Sequence, residues 1–257
     1  MNRYLDLVDP WSRPSRAEVD DFWDENYAQP QISFRLEKNR DVNESLPSTI
    51  VVATSCLSCQ VVQVLVEESK ESIQWATVFR GDVEVFKLYY SKLEGAGSLL
   101  LGLRFECLES GDLHSVARLL VDSFSVDRWI VLDSMPYYRM GIPSEQSNIT
   151  RYCLSSQSMK DSSLHSLLSN ILEAPAALVG LSAALMTRLE IGKQYACAII
   201  VSENQLDNSE PSAFALMMAL QRLIPCNSSM EYIENVILPQ VESKYKRNQT
   251  KRDSLYL

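Results

Sequence analysis

Three short, unbroken apolar runs, rich in β-branched residues, recur along the chain and limit the folds that it can adopt. They are "STIVVAT" (Ser48–Thr54), "RWIVLDSM" (Arg128–Met135) and "YACAIIVSE" (Tyr195–Glu203). Runs of this length are typical of strands that are buried on both faces of a sheet. Such strands need helices on both sides, so the runs favour a parallel sheet in a layered α/β protein.

Helical periodicity lies between these runs. "GDLHSVARLLVDSFS" repeats its apolar residues at intervals of three and four, as an amphipathic helix does. Further helices are predicted over Ser58–Ser69, Pro175–Leu189, Asn208–Leu223 and Ser228–Arg247. We expect the last of these to be kinked or broken at Pro239, because proline removes a backbone donor and clashes with the preceding turn.

The remaining segments complete a single domain. "ISFRLEK" alternates weakly, which is typical of an edge strand, and more strands are predicted near residues 73–80, 83–91, 99–109 and 149–156. The predicted fold class is therefore a layered α/β/α single domain with a largely parallel central sheet. We predict an extended N-terminal arm over residues 1–30, the α/β domain over residues 31–245 and a flexible basic tail over residues 246–257.

Charge and hydropathy exclude several classes of partner. The net charge of −9 makes nucleic acid a poor partner, because an acidic chain repels a phosphate backbone. The sequence has neither an apolar run of about 18 residues nor an apolar stretch behind a basic N-terminus, so we predict no membrane span and no signal peptide. We therefore expect the six cysteines to be free thiols of a protein in the cytosol or the nucleus. Four of them lie mostly in apolar strand or helix-end segments, which favours packing in the core: Cys107, Cys153, Cys197 and Cys226.

Cys56 and Cys59 have the C-x-x-C spacing of a dithiol site, in "TSCLSC". They come directly after a predicted strand and at the start of a predicted helix, where the helix N-terminus lowers the pKa of a thiol. The residues between them lack the aromatic, Gly or Pro that usually accompany such sites. A thiol–disulfide oxidoreductase is thus the alternative function, and two buried thiols at a strand–helix corner are the more common case.

Other catalytic and cofactor signals are weak or missing. A closed zinc site needs four ligands, and the sequence has neither a second C-x-x-C nor a paired His. "GLSAA" resembles a nucleophile elbow, but Ser182 lies in a helical pattern and both histidines, His114 and His165, precede it. The glycine-rich nucleotide motifs are absent as well. We therefore expect no enzyme activity, no metal and no cofactor.

The predicted helix over Pro175–Leu189 is apolar on almost every side. A helix of this kind must be buried on more than one side. Two environments meet that requirement, the core of the domain and an interface between subunits, and the sequence leaves both open.

The stretch from Glu173 to Ile224 resembles the C-terminal half of the proteasome assembly chaperone 1 family. The shared pattern is a Pro-Ala-Ala helix start, an apolar helix, a strand, an acidic Ser-rich turn and a second helix. The last residues, Leu255, Tyr256 and Leu257, match position by position the hydrophobic–Tyr–any triplet at the C-terminus of that family. Five basic residues and one acidic residue lie between Ser243 and this triplet.

The resemblance implies an assembly role without catalysis. It implies a heterodimer with a homologous chaperone, proteasome assembly chaperone 2, on the outer face of the ring of proteasome α-subunits. There the tail would enter a pocket between two subunits, promoting ring formation and blocking premature binding of regulators. About ten residues of tail reach at most roughly 35 Å. Leu255 and Tyr256 would fill the pocket, and the carboxylate of Leu257 would pair with a lysine.

Overall fold

The computed structural model describes residues 33–39, 46–69, 71–93, 97–104, 108, 110–136, 151–160, 177–203, 210–224 and 233–244. Its strands are β1 (Phe34–Lys38), β2 (Thr49–Ala53), β3 (Glu71–Arg80), β4 (Val83–Leu93), β5 (Gly97–Arg104), β6 (Arg128–Pro136), β7 (Arg151–Ser155) and β8 (Ala196–Glu203). Its helices are α1 (Cys56–Glu68), α2 (Ser110–Ser123), α3 (Gln157–Lys160), α4 (Gly180–Ile191), α5 (Glu210–Leu223) and α6, which starts as a π turn (Ile233–Ile237) and continues over residues 238–244. All of these elements belong to one compact unit, residues 34–257.

The eight strands form one mixed sheet in the order β1-β3-β4-β5-β2-β6-β8-β7. The four strands β5, β2, β6 and β8 are parallel to one another. On one side the sheet is extended by the antiparallel strands β4, β3 and β1, and on the other by the antiparallel strand β7. The predicted parallel core is confirmed, and so is the edge position of β1.

Helices cover both faces of the parallel strands, as the unbroken apolar runs predict. Every residue of β2 is buried. Val51 and Ala53 contribute to the core beneath α1, α5 and α6, whereas Ile50 and Val52 contribute to the core beneath α2 and α4. Because successive side chains of a strand point to opposite faces, each strand of this kind supplies both cores. The layered α/β/α architecture is therefore confirmed.

Helix α4 begins later than its sequence predicts. The prediction started the helix at Pro175, but residues 177–179 are not helical and α4 begins at Gly180. Gly180 has a φ of 70°, in the left-handed region that favours glycine, and Val179 before it is extended. An α-helix needs a φ near −60°, so the chain turns at Gly180 before the helix can propagate.

Pro239 does not break the last helix. Residues 238–244 form α-helix through the proline, and the irregularity lies in the π turn just before it. Proline removes one backbone donor and displaces the carbonyl of the preceding turn. A π turn widens the helix at that point, so the misfit is absorbed in the hydrogen-bond pattern and the helix continues.

The predicted N-terminal arm (residues 1–30) and basic tail (residues 246–257) lie outside the described residues, and their limits stay predictions. In the described part of the chain, the helices are all too short or too polar to cross a membrane.

Candidate functional site

The described polar and thiol side chains that could form a functional site lie around the carboxyl end of the parallel strand β2. At the carboxyl end of β2, Ala53 pairs with Leu132, which lies inside the longer strand β6. Thr54 closes the end of β2, because its backbone N–H and its hydroxyl both donate to the carbonyl oxygen of Leu132, at 3.1 and 3.0 Å. The carboxyl ends of parallel strands are the usual location of binding sites in α/β proteins.

A capping box fixes the start of α1 at this edge. The backbone N–H of Ser58 donates to the Ser55 hydroxyl at 3.2 Å, and the N–H of Ser55 donates to the Ser58 hydroxyl at 2.9 Å. This exchange satisfies two backbone donors that a helix start leaves without intrahelical partners. It also places Cys56 and Cys59 in the first turn of α1, as their position in the sequence predicts.

A buried carboxylate joins the starts of two helices to β6. Asp133 lies inside β6, just beyond the point where β2 ends, and its Oδ2 is 2.5 Å from the Ser182 hydroxyl in the first turn of α4. The backbone N–H of Ser134 donates to Asp133 Oδ1 at 2.9 Å, and the Ser134 hydroxyl donates to that of Ser55 at 2.9 Å. A continuous polar chain therefore runs from α4 through β6 to the cap of α1.

Burial raises the pKa of the Asp133 carboxyl, and hydrogen bonds from Ser182, Ser134 and Thr54 oppose that rise. A buried carboxylate costs free energy unless it is well hydrogen-bonded, and here several donors converge on it. The run "RWIVLDSM" predicts a buried strand, and Asp133 is not among the site residues predicted from the sequence. The signal that could have found it is an acidic residue inside an otherwise apolar run.

The two thiols of the C-x-x-C motif differ in environment. The Cys59 thiol donates to the carbonyl oxygen of Ala53 at 3.6 Å, and burial raises its pKa to about 12. Cys59 is therefore a neutral thiol near pH 7. Cys56 is half-buried, and the carboxamide Nε2 of Gln60, one turn along α1, lies 4.0 Å from its sulfur.

Cys153 and Cys197 pack in the core, as the sequence predicts. Both are buried, and burial raises the pKa of Cys153 to about 12 and raises that of Cys197 as well. Thiols of this kind act as small apolar side chains. Cys107 and Cys226 lie outside the described residues.

A second feature is a groove of about 470 Å³ between α4 and the end of β7. Its apolar lining consists of Leu154, Leu178, Ala183, Met186 and Ile191. Most of α4 is buried against the sheet and α2, but Val179 and Ile191 near its two ends are exposed, Ile191 by 68%. Packing in the core accounts for most of the apolar residues of α4. The groove lies along the apolar surface of α4 that the core does not cover.

The predicted tail site, Leu255, Tyr256 and Leu257, lies outside the described residues. The structure does bring the C-x-x-C motif close to Asp133, although Asp133 lies in a distant part of the sequence. Over the described ranges, groups of three or more His, Cys, Asp or Glu side chains that could hold a metal ion are absent.

Comparison with known proteins finds solved structures with a similar fold but no match to the sequence. Neither a protein-family model nor a curated protein matches the sequence. Among solved structures, that of Pyrococcus furiosus PbaB, an archaeal proteasome activator, matches with a TM-score of 0.64 at 11% identity. The match covers 88% of this chain and 100% of PbaB.

Two more structures match at similar levels. Pyrococcus furiosus PbaA, an archaeal homolog of proteasome-assembly chaperone, matches with a TM-score of 0.60 at 13% identity over 87% of this chain and 90% of PbaA. A Thermoplasma acidophilum protein of unknown function matches with a TM-score of 0.59 at 11% identity over 82% of this chain and 92% of that one. At these identities the likeness is one of backbone, and it shows that this chain has the fold of PbaA and PbaB.

Proposed function

We propose that this protein is a chaperone for assembly of the proteasome core particle. The observation that carries the proposal is the shared fold with PbaA, which is described as an archaeal homolog of proteasome-assembly chaperone. The shared fold with PbaB, described as an archaeal proteasome activator, points to the same particle. Fold alone does not determine function, so the proposal also draws on the sequence pattern from Glu173 to Ile224 and on the C-terminal triplet.

In this proposal the protein works as a heterodimer with a homologous partner, proteasome assembly chaperone 2. The heterodimer binds the outer face of the ring of α-subunits in the cytosol or the nucleus. It promotes ring formation and prevents off-pathway association and premature binding of regulators. Binding and release are sufficient for this role, so it requires neither a catalysed reaction nor a cofactor.

The C-terminal triplet is the proposed contact with the ring. Leu255 and Tyr256 fill a pocket between two α-subunits, and the carboxylate of Leu257 pairs with a lysine in the pocket. Tyrosine suits a partly hydrated pocket because it combines a large apolar face with a hydroxyl group. The basic residues between Lys244 and Arg252 connect the triplet to α6, the last described helix.

Tyr256→Ala tests the tail contact. The full-length protein is co-expressed with its partner chaperone and tagged α-subunits, and the amount retained on the α-subunits is measured. We expect retention to fall at least about tenfold, because loss of an aromatic anchor typically costs 2 kcal/mol or more at an interface. Deletion of residues 255–257 should have the same or a larger effect.

Tyr245→Ala is the matched control, since it removes a tyrosine just before the predicted tail and outside the triplet. It should leave retention on the α-subunits within about twofold of the unaltered protein. The partner chaperone should still co-purify with Tyr256→Ala. Unchanged retention of Tyr256→Ala would contradict the tail mechanism, and failure of the unaltered protein to bind α-subunits at all would contradict the assembly role itself.

A further inference from the structure

One face of the antiparallel part of the sheet is left open by the helices. Helices α1 and α5 pack against β5, β2, β6, β8 and β7, and over the described ranges neither of them makes extensive contact with β4, β3 or β1. We propose that this open face binds the last residues of its own chain, 245–257. The contact forms within one molecule, so it does not depend on the assembly role.

The pairing of the strands defines the open face. Paired side chains lie on the same side of an antiparallel sheet. Tyr89 of β4 pairs with Leu101 of β5, which belongs to the core beneath α1, so Tyr89 lies on the α1 side of the sheet. Two rows of paired residues continue this side across β4, β3 and β1: Lys87–Thr77–Glu37 and Glu84–Phe79–Arg35. The open face consists of Tyr89 and these two rows.

The open face combines aromatic and charged side chains. An antiparallel sheet can leave one face in water when that face is polar. Here Phe79 and Tyr89 are half-buried, and the Arg35 guanidinium lies 5.0 Å from the centre of the Phe79 ring. Aromatic rings between charged residues suit a segment that brings both apolar and cationic side chains.

The last described residue of the chain lies beside the open face. The Nζ atom of Lys244, at the end of α6, is 2.7 Å from Oε1 of Glu67 in the last turn of α1. Burial raises the pKa of the Tyr89 hydroxyl, and the charge of Glu67 is close enough to act on the same group. Residues 245–257 therefore begin next to the Tyr89 end of the open face.

The segment is long enough to cross the open face. Its 13 residues span at most about 45 Å when extended. Tyr89 and Glu84 are only about 17 Å apart along β4. A segment tethered this closely has an effective concentration in the millimolar range, so a contact with a dissociation constant of about 1 mM would be formed about half of the time.

The segment also complements the charges of the open face. It carries four basic residues, Lys246, Arg247, Lys251 and Arg252, and one acidic residue. Two exposed carboxylates of the open face are available to them, those of Glu37 and Glu84. Both already form ion pairs, with Arg35 and Lys87, but an ionised carboxylate accepts from more than one donor. The apolar side chains of the terminal triplet would pack on the aromatic rings.

The contact has a consequence for the proposed assembly role, and this step alone rests on that role. The open face and the pocket of the α-ring would compete for Leu255–Leu257. The apparent affinity of the tail for the ring then falls in proportion to the fraction of molecules in which the tail is free. The open face would therefore hold the triplet back until a ring pocket of higher affinity is available.

Photocrosslinking tests the contact in the purified full-length protein, without α-subunits. Phe79 is replaced by p-benzoylphenylalanine, the protein is irradiated, and the linked peptides are identified by mass. We expect links to residues 245–257 with a yield at least about fivefold above that from the same group at Ile73. Ile73 is the matched control, because it is exposed in the same strand but pairs with Tyr90 on the opposite face.

A second position guards against misfolding of the Phe79 variant. Glu37 is exposed on the same face, so p-benzoylphenylalanine there should link to the same segment. Irradiating a mixture of light and heavy isotope-labelled protein identifies the occupant, since a contact within one molecule gives no mixed pairs. Mixed pairs would show that a second copy occupies the open face and would overturn the proposal. Links mainly to other segments, or a yield no higher than at Ile73, would overturn it as well.

Charge reversal of the segment is not needed to test complementarity, because neutralisation is sufficient. Lys246, Arg247, Lys251 and Arg252 are changed together to Gln. We expect the yield of links from position 79 to fall at least about threefold, since each exposed ion pair contributes only a small part of the binding. An unchanged yield would overturn the role of charge in the contact.

Discussion

Gly102 shows how closely the core is packed at the level of a single residue. It lies in β5, between Leu88 of β4 and Val52 of β2 in the register of the sheet. A Cβ atom at this position would lie 2.8 Å from the Cε1 and Cζ atoms of Phe86. Phe86 is fully buried, so its ring has little room to move away. The Phe86 ring thus fills the space that a side chain at position 102 would occupy.

Gly102→Ala should destabilise the protein for this reason. Overpacking of a rigid core forces side chains out of their preferred rotamers and typically costs 1–3 kcal/mol. We expect a loss of about 2 kcal/mol in the free energy of unfolding, measured by urea denaturation. The slope of the free energy with urea concentration should not change, because the surface exposed on unfolding is nearly the same.

Gly111→Ala is the control for that substitution. Gly111 lies in α2, and a Cβ there would meet nothing within 4 Å. Alanine is preferred to glycine in a helix by up to about 1 kcal/mol, so this variant should be equally stable or more stable. If both variants lost the same stability, the close contact with Phe86 would not be the cause.

Single residues differ in how far their environment could be predicted from sequence. Cys153 and Cys197 were predicted in the core because each lies in an apolar strand, and both are buried. The partner of Asp133 could not be predicted. Ser182 is 49 positions away, and only the arrangement of β6 beside α4 brings the two together. Local patterns determine burial, whereas a polar contact of this kind depends on tertiary structure.

At the level of elements, periodicity predicted the existence of the helices better than their limits. The apolar character of "APAALVGLSAALM" continues without interruption across Gly180, so its composition gives no sign of the turn there. The positive φ of Gly180 and the bond from Ser182 to Asp133 together determine where α4 begins. The first is a property of the backbone and the second of the packed domain.

The Asp133–Ser182 contact makes a prediction about pH because it attaches α4 to the sheet. Burial raises the pKa of Asp133 in the folded state above its value in the unfolded chain. The folded state therefore binds this proton more tightly. Protonation of Asp133 thus stabilises the folded protein. This stabilisation is complete below the pKa that Asp133 has in the unfolded chain, and it is lost as the pH rises through the pKa that Asp133 has in the folded state.

Asp133→Asn removes this titration and keeps a side chain of similar shape that can still accept from Ser182. The free energy of unfolding of the variant, relative to that of the unaltered protein, should therefore rise as the pH rises from about 4 towards 7. Urea denaturation at a series of pH values measures the difference. A difference that stays constant, or that falls with pH, would contradict a raised pKa for Asp133.

Ser182→Ala is the control for the hydrogen bond. It leaves the carboxyl of Asp133 in place and removes one of the donors that oppose the rise in its pKa. Its stability relative to that of the unaltered protein should fall as the pH rises, which is opposite in sign to the change expected for Asp133→Asn. A cost of about 1–3 kcal/mol near pH 7 is expected for a buried carboxylate that loses a donor.

At the level of the whole molecule, the sequence predicted a layered fold with a parallel core but not the order of the strands. Strand order depends on pairings between distant segments, as in β2 between β5 and β6. One antiparallel pairing did have a local signal. Only Gly81 and Asp82 separate β3 from β4, and a two-residue connection of this kind indicates a hairpin.

This arrangement predicts how the molecule opens. Residues in β2 and β6 are fully buried between two helical layers, whereas β1 lies at the edge and is mostly half-buried or exposed. Opening a central strand disrupts both cores, so its free energy approaches that of global unfolding, but an edge strand can separate with little loss of buried surface. Native-state hydrogen exchange measures these free energies residue by residue.

We expect the amides of Ile50–Ala53 and Ile130–Leu132 to exchange at least about a hundredfold more slowly than those of Phe34–Lys38, a difference of about 3 kcal/mol in opening free energy. Strand β4 is the internal control, because it is paired on both sides but lies outside the parallel core. If pairing alone gave protection, β4 would exchange as slowly as β2. If burial between two helical layers gives the protection, β4 should exchange at a rate between those of β2 and β1. Equal protection of β1 and β2 would contradict the layered core as the source of stability.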